Sequence, residues 1–353
     1  MAILGNYIEE YSVRNKNNKP LNVYSVTNSQ GFCSEYFDKD VSGEDKTTYK
    51  IVPKGYFAYN PSRINVGSVD WQNKEDEVIV SPLYNVFKCK NGLRQEYLKE
   101  FLRSSYGKQL INNNTSGSVR ANLKISELSK FRLNIPSEDE QDKLLEKIYL
   151  IKDAIRNEEN IISILEELVK ARFIEMFGDI NEIGRWQRKP WNDLLKIQNG
   201  RDYKHILVEQ GGYPVYGTGG EMARASDYLC PENTVIVGRK GTINNPLLVK
   251  EKFWNVDTAF GVIPGEEIHY QYLYNFCRMF DFEKLNKAAV LPSTTKGDLL
   301  KIEMNVPPIC LQNDFASFVE QIDKSKFICQ QKIKLYQELL DKKMDEYFNP
   351  KEA

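Results

Sequence analysis

The side chains best suited to binding chemistry lie in short turns that combine arginine, asparagine and serine with glycine. In NPSRINVGS, Arg63 could donate two parallel hydrogen bonds to a guanine edge or to a phosphate. Asn60 and Asn65 match an adenine edge, and Ser62 and Ser68 suit phosphate oxygens. The residues alone favour an ordinary tight turn with Arg63 in a surface ion pair; contact with a nucleic acid is the alternative.

A second segment, GRKGTINN, repeats this chemistry. Its candidate DNA-binding residues are Arg239, Lys240, Thr242 and Asn244. The segment is not a nucleotide-binding P-loop, because the spacing GxxxxGK[ST] is missing.

The nearby YGTGGE also lacks the order GxGxxG and a following helix. We interpret it as a loop at the DNA surface, formed by Tyr216, Thr218 and Gly219.

Two further polar stretches precede the long helices described below. They could hold phosphates or base edges, and a solvated turn is the alternative. Their candidates are Ser116, Ser118, Arg120 and Lys124 in the first stretch, and Ser293, Thr294, Thr295 and Lys296 in the second.

Catalytic chemistry finds little support in this composition. The 353 residues include two histidines and six cysteines without a CxxC pair, which argues against a metal site or a disulfide framework. The echo NPSR of an adenine-methylation motif (N/D-P-P-Y/F) lacks the second proline and the aromatic residue. No nuclease cluster stands out, and we expect neither a metal nor a catalytic residue.

Charge is distributed unevenly along the chain. The net charge is −1, yet residues 1–137 carry a net +5 and residues 138–177 a net −5. The basic excess is modest, and solvated surfaces reach it routinely. No apolar run approaches the roughly 20 residues of a membrane span, so we expect a cytoplasmic protein without a membrane partner.

The phrase LNIPSEDEQ at 133–141 returns as MNVPPICLQ at 304–312, an offset of 171 residues. Residues 133–179 and 304–350 align without a gap and share nine identities in 47 positions. The shared residues are Asn134/Asn305, Pro136/Pro307, Gln141/Gln312, Ile151/Ile322, Ile162/Ile333, Glu167/Glu338, Leu168/Leu339, Glu175/Glu346 and Phe177/Phe348.

Apolar residues follow the phrase in both copies at alternating steps of three and four, as in a coiled-coil seam. Each copy predicts a helix of about 38 residues, hence roughly 57 Å long, that ends at Gly178 or Pro350. We expect the two helices to pair antiparallel through their seams. The seam residues are Ile148, Ile151, Ile155, Ile162, Leu165 and Val169, and Val319, Ile322, Ile333, Tyr336 and Leu340.

The blocks before the helices also echo one another. Residues 95–110 and 270–285 are each amphipathic, and a polar loop, a helical turn and a strand follow each of them. Upstream, strand-like runs are separated by Gly, Pro and Asn turns. The sequence therefore predicts an α+β protein with the order head, long helix, head, long helix, where a head is the block before each helix.

This layout resembles the specificity (S) subunit of Type I restriction–modification systems, over essentially the whole chain. The resemblance rests on YFAYNPSRINVGSV, on YPVYGTGGEMARASDYL with VIVGRKGTINNP, and on LNIPSEDEQDKLLEKI. It implies two globular α/β target-recognition domains separated by two long antiparallel coiled-coil helices. The implied segments are domain 1 at 1–137, a central helix at 138–177, domain 2 at 178–306 and a C-terminal helix at 307–353.

The resemblance also implies a non-catalytic subunit that recognises a bipartite, asymmetric site on double-stranded DNA. With this resemblance, DNA contact becomes the favoured interpretation of the segment around Arg63. The implied partners are two methyltransferase (M) subunits and ATP-dependent restriction (R) subunits. S-adenosylmethionine, ATP and Mg would be bound by those partners, and no cofactor by this chain. Two alternatives stay open: a coiled-coil scaffold with ligand-binding heads, and a stand-alone DNA-modifying enzyme.

Overall fold

The structure is a computed structural model that describes residues 1–34, 45–115, 122–285 and 293–349. The chain forms two compact units. Unit 1 comprises Met1–Glu158 and Gln331–Ala353, and unit 2 comprises Glu159–Gln330. The two units divide each long helix near its middle, so the four-segment division predicted from the sequence stays a prediction.

The described part of unit 1 contains ten short strands and three short α-helices before its share of the long helices. The strands are β1 (Ala2–Ile3), β2 (Ile8–Glu10), β3 (Ser25–Thr27), β4 (Gly31–Cys33), β5 (Lys50–Pro53), β6 (Phe57–Tyr59), β7 (Val69–Trp71), β8 (Glu77–Val80), β9 (Asn85–Cys89) and β10 (Arg132–Leu133). The helices are α1 (Gln95–Arg103), α2 (Ser105–Asn114) and α3 (Ile125–Leu128), followed by the long α4 (Glu138–Phe177).

The strands of unit 1 are antiparallel. The largest sheet has the order β2-β9-β6-β7, and β1-β10, β3-β4 and β5-β8 form pairs. One core lies between the large sheet, α1 and the long helices, and it includes the stacked rings of Phe57 and Phe87. A second core, around Val26 and Val78, joins the smaller strand pairs to this sheet.

Unit 2 has a similar composition of elements. Its strands are β11 (Gln187–Pro190), β12 (Leu195–Asn199), β13 (Leu207–Val208), β14 (Tyr213–Gly217), β15 (Gly220–Ala225), β16 (Thr234–Gly238), β17 (Leu247–Val249), β18 (Trp254–Asn255), β19 (Ala259–Pro264) and β20 (Glu303–Val306). Its helices are α5 (Trp191–Leu194), α6 (Tyr270–Met279), α7 (Lys296–Leu299) and α8 (Ile309–Phe348), which continues into unit 1.

Two four-stranded sheets form the centre of unit 2, in the orders β12-β19-β16-β17 and β13-β15-β14-β18. All of their pairings are antiparallel except β14 with β18. The larger core packs α6 and the fully buried Trp191 against the first sheet and the long helices. The smaller core, around Phe253, lies under the second sheet.

The long helices α4 and α8 each contain 40 residues, and both their first and last residues are offset by the 171 residues of the sequence repeat. At the start of α4, Ser137 and the carboxylate of Glu140 are hydrogen-bonded, which caps the first turn. After Phe177, Gly178 adopts a left-handed conformation (φ +83°) that ends the helix. The predicted long helices are therefore confirmed.

In each unit the two helices run antiparallel. In unit 1, Glu158 Oε1 lies 3.0 Å from Lys332 Nζ, while Leu145 shares a core with Phe348. In unit 2, Glu166 Oε1 lies 2.8 Å from Lys326 Nζ, while Phe173, later in α4, meets Phe315, earlier in α8, with ring centres 5.5 Å apart.

The predicted seam residues are all buried or half-buried. Glu158 and Lys326 occupy positions at which the three-four spacing would place an apolar residue. Each of them forms one of the two ion pairs between the helices, with Lys332 and Glu166 respectively. The interruptions are thus compatible with continuous pairing within each unit.

Near their C-termini both helices change the face that they bury. There the buried residues lie one position after those at which the three-four spacing of the seam would continue. They are Phe173 and Phe177 in α4, and Met344 and Phe348 in α8. Phe177 meets the ring of Tyr272 edge to face at 4.9 Å, and Phe348 meets Tyr97 in the same way at 5.0 Å. The ends of the helices therefore pack against the heads.

The repeated glutamines connect each long helix to the start of α1 or α6. Gln141 Oε1 accepts a hydrogen bond from Arg94 N, and its Nε2 donates to Gly92 O and Pro136 O. Gln312 forms the equivalent bonds with the backbone at His269, Glu267 and Pro307. Both side chains are fully buried, so these bonds replace lost contact with water.

Neither of the two amphipathic segments, 95–110 and 270–285, forms one continuous helix. Ser104 is extended and separates α1 from α2, because its hydroxyl donates to Phe101 O and accepts from Gly107 N. In unit 2, α6 ends at Met279, and residues 282–285 form a separate 3-10 turn. Within the described part of the chain, no helix is both long and apolar enough to cross a membrane.

Candidate nucleic-acid interface

In unit 1, four chain segments meet at one end of the sheets, and we call this surface the unit-1 loop face. It comprises residues 28–30, 60–67, 81–84 and 122–124. Asn85 donates to Tyr59 Oη, which in turn donates to Leu123 O at 3.1 Å. Pro61 O accepts from Leu123 N at 3.1 Å. Burial raises the pKa of Tyr59, so its hydroxyl stays a neutral donor that holds these segments together.

The segment 60–67 displays most of its predicted residues. Ser62, Arg63 and Asn65 are exposed, in a loop that ends in a 3-10 turn over Ile64–Val66. Asn60 is half-buried, and its Oδ1 accepts hydrogen bonds from the backbone and hydroxyl of Ser62. Lys124 is exposed on the neighbouring segment. The predicted residues Ser116, Ser118 and Arg120 lie outside the described residues.

Ser68 is placed differently from the prediction. It is buried, and its hydroxyl donates to Val26 O at 2.5 Å. We therefore assign Ser68 a structural role, which is to hold the loop against strand β3. Gly67 has a positive φ of 90°, and a side chain there would overlap Asn28.

In unit 2, three predicted segments also come together, and we call this surface the unit-2 loop face. It comprises residues 216–220, 239–245 and 293–296. Lys240 pairs with Ser293 in an isolated β-bridge, and Thr294 N donates to Arg239 O at 3.0 Å. Asn245 Nδ2 lies 3.4 Å from Thr218 O. Segments up to 77 residues apart in sequence thus form one surface.

The residues 216–221 form a hairpin rather than the predicted loop. Strands β14 and β15 pair as far as Gly217 with Gly220, so only Thr218 and Gly219 turn between them. Tyr216 lies within β14, half-buried, with its ring edge to face against Phe253 at 5.7 Å. The pKa of Tyr216 is raised chiefly by burial and, to a smaller extent, by the negative charge of the nearby Glu221.

Arg239, Lys240 and Thr242 are exposed in the tight turn that follows β16. Arg239 Nη1 donates to Asp257 O at 3.2 Å, and its guanidinium lies 5.9 Å from the ring centre of Phe260. These contacts orient the side chain without burying it. Gly238 has no room for a side chain, because a Cβ would overlap the carbonyl oxygen of Thr242.

Four other predicted residues of unit 2 already have internal partners. Asn244 donates to Asp281 and accepts from Phe282 N at 2.7 Å, so it ties the turn to the segment after α6. Thr294 is buried and donates to Gly238 O, and we assign it a structural role. Thr295 caps α7 through Asp298 N, and Lys296 Nζ donates to Ile197 O at 2.9 Å.

Each loop face offers the donors and acceptors that DNA recognition requires. Exposed guanidinium and ammonium groups can bind phosphates or guanine, and exposed asparagine, serine and threonine can bind base edges. The two faces differ in sequence and in supporting strands, so they would not recognise the same bases. Residues 28–30 were not predicted to belong to this surface, although the composition TNSQG is a typical signal for a turn.

The heads, the two helices and the two loop faces define a protein with two different candidate binding surfaces in one chain. The family model for the Type I restriction modification DNA specificity domain matches residues 6–167 and 184–337. The chain belongs to this family. The resemblance seen in the sequence and the predicted fold class are thus confirmed.

Individual relatives agree with this assignment. The specificity subunit of the Type I restriction enzyme MjaIX from Methanocaldococcus jannaschii is 28% identical over 182 residues, which is 46% of this chain. The match covers 38% of that subunit's own length.

Solved structures are similar over nearly the whole chain. The S subunit of a Type I restriction–modification system from M. genitalium has a TM-score of 0.57 at 13% identity, covering 98% of this chain and 95% of that one. A chain from a study of the assembly and conformational transition of the type I R-M system has a TM-score of 0.66 at 14% identity, covering 98% and 96%. At these identities the similarity shows the fold.

Proposed function

We propose that the chain is the DNA sequence-recognition subunit of a Type I restriction–modification complex. Each loop face would contact one half of a bipartite DNA site in the major groove. The observation that carries this proposal is the convergence of separate polar segments on one surface in each unit. Because the two faces carry different side chains, the two half-sites would differ, and the whole site would be asymmetric.

The long helices would determine the number of unread base pairs between the half-sites. Each helix has 40 residues, and at 1.5 Å per residue it is about 60 Å long. The antiparallel pairing within each unit supports a stiff connection. A spacing on the order of 12–18 base pairs between half-site centres fits this length at about 3.4 Å per base pair.

Catalysis would belong to partner subunits. We propose that two methyltransferase subunits bind S-adenosylmethionine and flip the target adenine, and that restriction subunits use ATP and Mg. This chain would bind no cofactor and act in the cytoplasm. The near-neutral net charge fits a complex in which partners supply much of the phosphate neutralisation.

The repeat also supports two copies of one partner. Ile164 and Leu335 occupy the same position of the repeat and are 63% and 61% exposed. Four residues later, Leu168 and Leu339 are also exposed. Each helix thus displays an aliphatic pair at equivalent positions, one in unit 2 and one in unit 1, and we propose that each pair contacts one methyltransferase subunit.

The test is to co-express the chain with its methyltransferase subunit and to map N6-methyladenine across a genome. We expect a bipartite motif. Arg63→Ala should relax one half and Arg239→Ala the other, each by about 5- to 150-fold at one position, as expected for a lost bidentate base contact.

Arg156→Ala is the control, because Arg156 is exposed on α4 and pairs with Asp153. This variant should leave the motif unchanged. A motif that stays sharp in both loop variants would refute the assignment of the loop faces. Uniform weakening at all sites would show that the two arginines contact phosphates.

A further inference from the structure

The β-hairpin turn between β3 and β4 lies on the unit-1 loop face, and none of the DNA-binding residues predicted from the sequence lies in this turn. Asn28, Ser29 and Gln30 are all exposed at its tip. Within the described residues, the side-chain amides of Asn28 and Gln30 form no hydrogen bond. Two amides with free donors and acceptors therefore lie at the surface, beside the loop that carries Arg63.

Contacts on both sides fix the position of this turn. Asn28 lies against the Cα of Gly67, where a side chain would overlap it. One residue before β3 ends, Val26 O accepts the hydrogen bond from Ser68, and Val26 N donates to Tyr84 Oη at 3.4 Å. The turn is thus held to both the 60–67 and the 81–84 segments, as base recognition requires.

The same surface also exposes two aliphatic side chains. Val66 is 58% exposed within the Arg63 loop, and Leu83 is 76% exposed in the segment before β9. Neither residue contributes to the cores of unit 1. A DNA major groove presents both kinds of complementary group, since adenine offers a donor and an acceptor and thymine offers a methyl group.

We infer that Asn28 and Gln30 recognise base edges, and that Val66 and Leu83 contact thymine methyl groups, in the half-site that Arg63 contacts. An amide of asparagine or glutamine can donate to adenine N7 and accept from adenine N6 at the same time. The inference rests on the proposed function and adds four specificity-determining residues to it. It predicts that the half-site of unit 1 contains A·T pairs.

The first experiment uses the full chain in complex with its methyltransferase subunits and maps the methylated motif. Asn28→Ala and Gln30→Ala should each relax one position of the Arg63 half-site by about 5- to 150-fold. The other half-site and the thermal stability of the complex should stay unchanged, which excludes misfolding. Asn91→Ala is the matched control. Asn91 is exposed and follows the last residue of β9, whereas the unit-1 loop face precedes the first residue of β9, Asn85.

The second experiment replaces each thymine of the mapped half-site in turn by uracil, which lacks the methyl group. Loss of one methyl contact should weaken DNA binding by the wild-type complex roughly four-fold at the contacted position. Val66→Ala, or Leu83→Ala at a second position, should abolish this discrimination between thymine and uracil. A half-site without thymine, or equal discrimination by all three proteins, would overturn the methyl contacts.

The outcomes distinguish a failure of this inference from a failure of the proposed function. If Arg63→Ala relaxes the half-site while Asn28→Ala and Gln30→Ala leave it sharp, the amide contacts are refuted and the proposed function stands. If Arg63→Ala also leaves the motif sharp, the proposed role of the unit-1 loop face fails.

Discussion

Gln141 and Gln312 explain at the residue scale why a short phrase occurs twice in this chain. Each side chain satisfies one backbone N–H and two backbone carbonyls, at equivalent places in the two units. Asn134 O and Asn305 O likewise accept from Tyr97 and Tyr272. These repeated glutamines and asparagines therefore hold each head on its helix, and none of them lies on a loop face.

His269 provides a pH-dependent contact at the same junction of unit 2. Its Nδ1 accepts from Gln271 N and caps α6. Burial lowers the pKa of His269, and the charge of Glu320 opposes this shift. At pH values between the ordinary histidine pKa of about 6.5 and the lower pKa of His269 in the folded state, the unfolded chain binds more protons than the folded chain. Unit 2 should therefore lose stability as the pH falls below about 6.5.

His269→Asn tests this, because asparagine can cap the helix without titrating. The decrease in Tm between pH 7.5 and pH 5.5 should be smaller in this variant than in the wild type. His205→Asn, which changes the other histidine of the chain, should behave like the wild type. An equal decrease in all three proteins would contradict the role of His269.

The sequence predicted which turns of the candidate binding site are exposed, for an identifiable reason. Arg63 and Arg239 lie in glycine-containing turns, whose local residue types indicate exposure and hydrogen-bonding capacity. Ser68 and Thr294 have the same local character, yet both are buried by strands distant in sequence. Tertiary contacts decide which hydroxyl faces solvent, and a single sequence does not contain that information.

At the scale of elements, the long helices were the most predictable part of the fold. The three-four spacing in both helices and Gly178 after α4 are local signals, and the observed helices follow them. The change of buried face at Phe173 and Phe177 was not predicted. It arises because the last turns pack against Tyr272 and Phe315 as well as along the seam.

Phe177 and Phe348 should each stabilise the attachment of a helix end to a head. Replacing either by alanine removes a fully buried ring and should cost about 3–5 kcal/mol. Hydrogen exchange should show faster opening of residues 340–348 in Phe348→Ala and of residues 170–177 in Phe177→Ala.

Leu339→Ala is the control, because Leu339 is exposed on the same helix as Phe348. It should change the free energy of unfolding by roughly 0.5 kcal/mol or less. Similar exchange rates in all three variants would mean that the aromatic contacts do not hold the helix ends.

At the scale of the whole molecule, the repeat gives one chain two distinct loop faces and two equivalent helices. The residues repeated in sequence lie in the long helices and in the short phrase before each helix, whereas the loop faces differ between the units. This division is what a subunit needs if its DNA target varies while its assembly with partners stays the same. In this account the loop faces select the bases, and the helices set the spacing between them.

The most direct test lengthens both helices equally. Seven residues inserted after Glu159 and seven after Gln330 would enter equivalent positions of the repeat and preserve the three-four spacing of the seam. Each helix would grow by about 10.5 Å, close to three base pairs. Mapping N6-methyladenine should give both half-sites unchanged, separated by about three more unread base pairs. An unchanged spacer, or new bases in either half-site, would contradict the proposal that the helices set the spacing.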